Sequence, residues 1–448
     1  MTTQKSLPEL IAQDQAHLIH PLHQPAAHTN GHVWAEGHGA ILVDSDGKEY
    51  IDGLAGLWNV VAGHGRRELA EAAAAQMSTL AYCSGYTGSS NRPAIELSGR
   101  LASLTYPSIN RFFFTSGGGE SSDTSFKLAR SYWKRRGKPD KTKVISRQWG
   151  YHGVTLAAMS ATGIGSYWPE FEPRVDGFVH IPSPYPYRYE APKGVSQGIA
   201  AANELEKAIL QEGPDSVAMF LAEPVQGAGG VIVPQADYFP RIREICDQYD
   251  VLLVADEVIT GFGRTGKWFA LDHWGVEPDV FQFAKAVTSG YFPFGGIGVS
   301  DAIADVLDSG ETPWMHAYTY SAHPVGCAVA LRNIQIIEEE NFPKQSEEKG
   351  AYLLERLQST LANHANVGDV RGLGLMCAVE LVRDKDTREE FDPKEKIGIK
   401  VHAAAQQRGL FSRLRGDVFC LAPPVVISTE QIDKMVDILA QSITEILD

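Results

Sequence analysis

Three short apolar runs, RFFFT (111–115), SVAMFLAEP (216–224) and VLLVADEV (251–258), each finish in polar residues. Runs of this length without apolar–polar alternation read as strands buried on both faces. Stretches such as RRELAEAAAAQMSTLA and RPAIELSGRLASL carry helical spacing, and from there strand, loop and helix repeat several times. That repetition requires a mostly parallel sheet covered by helices. In such sheets the functional site lies beyond the C-terminal ends of the strands, where these three runs turn polar.

With 448 residues the chain exceeds one ordinary core, so a large and a smaller domain are expected. GHGAILVDSDGKEYIDG (37–53) alternates around Asp46-Gly47 and reads as a hairpin. After Pro324 come two helical stretches, VGCAVALRNIQIIEEEN and the run from Gln345 to Asn363. Strand-like GLGLMCAVELV and VFCLAPPVVIS follow, and then a helix from Thr429 to Leu447. No linker or internal repeat separates these parts. The small domain is therefore expected from both ends, residues 1–70 and 326–448, around a large domain at 71–325.

Composition excludes several classes. Apolar residues at 44% and charged residues at 21% are those of a folded globular protein. A net charge of -15 argues against a nucleic-acid surface. The one basic cluster, SYWKRRGKPDK (131–141), reads as a solvated helix end running into a loop. Five scattered cysteines without a C-x-x-C pair suggest neither a disulfide framework nor a metal site. The text has no apolar signal core and no span of roughly 18 apolar residues, so no membrane partner and a cytoplasmic location are expected.

VLLVADEV brings Asp256 and Glu257 to a strand end, and FQFAKAVTSGY presents Lys285 after a second apolar run. An acid and a lysine at neighbouring strand ends can converge on one small molecule. Pyridoxal phosphate needs such a pair: a lysine to join its aldehyde, and a carboxylate to keep its ring nitrogen protonated. FFFTSGGGESSDTSFKLARSYW adds a strand, a glycine turn and a helix starting near Glu120, whose first N–H groups suit a phosphate. The same glycines also fit a plain tight turn. GFGRTG (261–266) matches a dinucleotide fingerprint, but KWFALDHWGVEPD after it lacks apolar helix spacing and reads as a loop.

Together VADEVITGFGRTGKWFA, EPDVFQFAKAVTSGY, SGGGES, YHG and TYSAHP resemble the class III aminotransferases of the pyridoxal-phosphate fold type I superfamily. The likeness runs from about residue 20 to residue 447 and is strongest to the pyruvate-using ω-transaminases. It implies an α/β fold with a mostly parallel seven-stranded sheet between helices and a small α+β domain. It also implies transfer of an amino group from a primary amine or ω-amino acid to a keto acid in two half-reactions. Lys285 matches the lysine that binds the cofactor, Asp256 the partner of the ring nitrogen, and Val258 and Tyr151 the residues on the two ring faces. Gly118 and Gly119 match the phosphate turn, which in the family usually reads Gly-Ser or Gly-Ala. Thr319 matches the threonine that reaches the phosphate from a partner subunit, implying a homodimer or a tetramer of dimers. Glu223 matches a glutamate near the cofactor. Trp58 and Tyr151 resemble the aromatic walls of the substrate pocket. Arg413 resembles the mobile arginine for the acceptor's carboxylate, with Arg415 as the alternative. Other readings are a class III decarboxylase or aminomutase, a nicotinamide oxidoreductase and a noncatalytic scaffold.

Overall fold

The computed structural model describes residues 6–24, 31–86, 88–310 and 312–448. Residues 1–5, which belong to the N-terminal stretch read for a signal core, lie outside the described residues, as do 25–30, 87 and 311. Strands β1 (Trp34–His38), β2 (Ile41–Asp44) and β3 (Glu49–Asp52) form an antiparallel unit. The β2–β3 hairpin turns around Asp46-Gly47 as its chemistry requires, with Gly47 at φ 80. A strand from the far end of the chain, Leu410–Phe411, joins β3 in parallel, so the two chain ends share one sheet.

Seven strands make the central sheet: β4 (Ile109–Thr115), β5 (Lys143–Arg147), β6 (Phe178–Ile181), β7 (Val217–Ala222), β8 (Leu252–Asp256), β9 (Val280–Phe283) and β10 (Gly295–Ser300). Their order is β4-β10-β9-β8-β7-β5-β6, and only β10 runs against its neighbours. Every residue of β7 and β8 is buried because helices cover both faces. That is why these strands are near-continuous apolar text. The glycines of β10 have a tertiary cause: a Cβ on Gly298 would lie 2.3 Å from the Phe281 ring of β9.

The remaining α+β part carries a four-stranded sheet containing Val367–Gly372, Cys377–Leu381, Arg413–Arg415 and Val418–Leu421. The helices expected at its borders are Pro324–Glu339, Phe342–Leu361 and Thr429–Leu447. GFGRTG is a turn, as its flanking text suggested, and Arg264 within it is buried with Nη1 donating to the carbonyl of Pro423 at 2.6 Å. One expectation fails at the basic cluster, because Lys141 is not solvated. Its Nζ is buried and donates to four carbonyls, those of Pro214, Val217, Tyr249 and Asp250, at 2.8–3.2 Å. A cation so enclosed replaces its lost water with backbone oxygen. Among the described residues no helix is long and apolar enough to cross a membrane.

Candidate active site

The polar strand ends converge at the C-terminal edge of the central sheet. β8 ends on Asp256, β7 is followed by Glu223, β9 by Lys285, β5 by the loop holding Tyr151 and His152, and β4 by Ser116 and the glycines. They surround a cavity of about 450 Å³. Seven of the residues singled out by sequence line it: Gly118, Gly119, Tyr151, Glu223, Asp256, Val258 and Lys285.

Asp256 is held from two sides. Its Oδ2 accepts from His152 Nδ1 at 2.7 Å, and its Oδ1 accepts from the backbone N–H of Val258 at 3.1 Å. Both Asp256 and His152 are buried. A buried carboxylate held by charge-assisted bonds cannot turn away from the cavity without leaving a donor unpaired. Reading Tyr151-His152-Gly153 for its tyrosine overlooked His152, and the only available signal was its place inside that triplet.

Glu223 is buried, and its two oxygens accept from the backbone N–H groups of Tyr151 at 3.0 Å and Gly227 at 2.9 Å. Burial pushes its carboxyl above the usual range; His152 opposes this, and Asp256 adds to it. Glu223 thus ties the Tyr151 loop to the segment after β7. The Tyr151 ring is half-buried and stands 5.8 Å from that of Tyr167. Burial also raises its phenol.

Lys285 follows β9 at φ 44, a left-handed backbone that L-residues rarely adopt. Burial lowers its ammonium from the usual value, Asp256 and Glu223 oppose the shift, and Arg413 reinforces it. The charge of Arg413, on the strand Arg413–Arg415, is therefore felt at Lys285, and it also acts on Tyr151.

The β4 end supplies an anion cradle. Gly117 precedes the helix Gly118–Arg135, and Glu120 Oε2 accepts from the Ser116 N–H at 2.8 Å. A Cβ on Gly118 would come within 3.2 Å of Val258 Cγ1. Gly153, at φ +123, sits so close that a Cβ there would lie 2.9 Å from the Gly119 Cα. Ser116 Oγ is buried in the cavity wall without a hydrogen-bond partner. Open N–H groups at a helix start, an unsatisfied hydroxyl, a buried lysine and a fixed carboxylate fit a flat phosphorylated pyridine aldehyde.

The structure does not bring the other three residues to the cavity wall. Trp58 is only 1% exposed, packed with Leu54, Val225, Ile259 and Met376; of these, Ile259 reaches the cavity. Thr319 is exposed, and its carbonyl accepts from the Tyr82 hydroxyl at 2.9 Å. Arg413 is half-buried on its strand, and its charge acts on Tyr151 and Lys285. Asn59, Thr288 and Phe292 are among the other residues of the wall, and none of the three carried a signal in the sequence.

The family model described as "Aminotransferase class-III" matches residues 24–443. The chain is 42% identical over 405 residues to putrescine--pyruvate aminotransferase of Pseudomonas aeruginosa, covering 90% of this chain and 88% of that one. It is 40% identical over 427 residues to diaminobutyrate--2-oxoglutarate transaminase of Halomonas elongata, covering 93% and 91%. A crystal structure of a thermostable (S)-enantioselective omega-transaminase from Thermomicrobium roseum superposes with a TM-score of 0.96 at 45% identity, over 100% of both chains. With the cavity above, these likenesses make the chain a member of the class III aminotransferases, pyridoxal-phosphate enzymes that move an amino group from an amine to a keto acid.

Proposed function

We propose that this enzyme takes the amino group of a primary amine or ω-amino acid and gives it to pyruvate in two half-reactions on one site. The observation carrying this reading is the joint placement of Lys285 and Asp256 on the wall of one buried cavity, with the charge of the half-buried Arg413 acting on Lys285. The likeness to a putrescine--pyruvate aminotransferase supports both the donor class and the acceptor.

Pyridoxal phosphate, when bound, supplies an aldehyde that carries the amino group and a ring that withdraws electrons. Asp256, fixed by His152 and the Val258 N–H, keeps a proton on the ring nitrogen. Lys285 Nζ, whose neutral form burial favours, would carry a proton from the donor's reacting carbon to the carbon of the bound aldehyde within the first half-reaction, and would carry one the opposite way, to the acceptor's carbon, in the second. Gly118, Gly119 and Ser116 hold the phosphate, Val258 and Tyr151 cover the ring, and Glu223 steadies the Tyr151 loop. Trp58 backs the substrate side through Ile259. Arg413 binds the acceptor's carboxylate and gives way to an uncharged donor. The planar guanidinium suits that bidentate contact.

In this reading the enzyme is a homodimer in which the exposed Thr319 completes the phosphate site of the partner. Residues 1–70 and 326–448 form one small domain, in keeping with the strand that links the two chain ends, and 71–325 the large one. Five free cysteines fit a cytoplasmic setting. The decisive measurement follows cofactor absorbance in each half-reaction separately. An uncharged amine should discharge the aldehyde band and pyruvate restore it. Arg413→Ala should slow only the pyruvate half, raising its apparent KM roughly tenfold or more for a lost charge-assisted contact. Equal damage to both halves would remove Arg413 from this role.

A further inference from the structure

After β9 the chain makes a short helical turn, Lys285–Thr288. One side of this turn belongs to the cavity wall, through Lys285, Thr288 and, just beyond it, Gly290. The other side meets the helix Pro324–Glu339, where Asn333 Nδ2 donates to the carbonyls of Ala286 at 2.8 Å and Val287 at 3.1 Å. Asn333 is fully buried and does not line the cavity.

An amide is out of place where Asn333 stands. Ala330 and Ile337, one turn away on either side, are buried apolar residues of the same helix face. Among the described residues its Oδ1 has no hydrogen-bond partner. An apolar side chain of that size would pack there without leaving an acceptor unpaired, so what the amide contributes is its two donated bonds. Both partners are carbonyls, which only the nitrogen end of the amide can serve.

The turn needs such a hold. Lys285 lies at φ 44 and Ser289, just past the turn, at φ 51. Left-handed backbone at two non-glycine residues so close together persists only where the surroundings over-determine it. At the far end, Ser289 Oγ accepts from the Ala62 N–H at 2.8 Å, and Thr288 Oγ1 donates to the Phe292 carbonyl at 2.6 Å. At the near end, a turn this short runs out of onward N–H groups for its carbonyls, and the burial of Ala286 and Val287 keeps water from them. Asn333 supplies donors to both.

We infer that Asn333 is a positioning residue for Lys285: by holding the carbonyls of the two residues that follow, it fixes the backbone from which the lysine reaches the cofactor. The inference rests on the proposed role of Lys285 as the reacting amine.

Three variants of the holoenzyme test it. Asn333→Leu keeps the volume and removes both bonds, Asn333→Gln keeps the donors on a longer arm, and Ile337→Ala weakens the same helix face while removing no bond to the turn. In Asn333→Leu the loosened turn admits water to the lysine nitrogen and favours its charged form. The pH midpoint of the lysine-bound cofactor's absorbance should therefore rise by about one unit, a tenfold change in proton affinity. In single turnover the amine half-reaction should slow roughly tenfold to a hundredfold, with the amine concentration giving half the maximal rate little changed. Asn333→Gln should recover part of both. A midpoint that does not rise in Asn333→Leu, or that rises as far in Ile337→Ala, overturns the inference. Should both Asn333 variants fail to fold, Asn333 is a folding residue and the inference falls too. If no amine discharges the cofactor band of the unaltered enzyme, the proposed function fails instead, and the pH midpoint still decides the role of Asn333.

Discussion

Lys285 combines charge with backbone strain. β9 ends at Phe283, and the chain turns so sharply that Lys285 sits at φ 44, a conformation costing on the order of 1–3 kcal/mol. Surrounding structure must hold it there, and the result is an amine beside Asp256 rather than in solvent. Lys285→Ala should still fold and bind the cofactor noncovalently, yet lose roughly 10²-fold to 10⁴-fold or more in turnover. Borohydride should no longer fix cofactor to the chain; labelling at another lysine would refute the assignment. His152 acts one step away, through its 2.7 Å bond to Asp256. His152→Ala should lower kcat by roughly tenfold to a hundredfold with little change in KM, and His152→Asn should recover part of the loss. A KM effect alone would make His152 a packing residue. Lys285 and Asp256 were legible because each follows an apolar strand run. His152 was not, since nothing in the text says which strand end its ring will meet.

At the scale of elements, the parallel strands deliver the site because their C-terminal ends share one edge, and the glycine turn fits because Gly153 and Val258 crowd it. The same sheet has an acid-sensitive edge. His180, on β6, has its Nε2 3.2 Å from the Ala161 carbonyl and its ring 5.3 Å from that of Trp168. Burial pushes its imidazole down to about 4. The unfolded chain then binds the proton more readily, near the ordinary value of about 6.5. Stability from this group is complete above about 6.5 and lost as pH falls toward about 4, with a slope of at most about 1.4 kcal/mol per pH unit. Urea midpoints across that window should flatten in His180→Gln. An unchanged slope would show that other groups govern the acid limb.

For the whole molecule, the proposed homodimer would cover the exposed Thr319 together with its near neighbours in the chain, Met315 at 84% and Tyr320 at 58% exposure. If Thr319 completes the partner's phosphate site, cofactor retention is linked to assembly by mass action. Dilution followed by sedimentation and cofactor absorbance together should show dimer and cofactor lost over the same concentration range. A monomer with full cofactor occupancy would rule out a shared site.

Local text determined the strands, since their apolar length and polar ends follow from burial on both faces of a parallel sheet. It also determined the hairpin at Asp46-Gly47, the glycine turn after Thr115, and the placement of an aspartate and a lysine at neighbouring strand ends. Tertiary structure alone decided which distant side chains meet. It joined Leu410–Phe411 to β3, packed Trp58 into a core against Met376, and buried Lys141 among four carbonyls. It also separated two arginines that look interchangeable in FSRLRGD, directing the charge of one to Lys285 and laying the other on Trp149. Such choices depend on packing between segments hundreds of residues apart, and short-range periodicity carries no record of which segments those are.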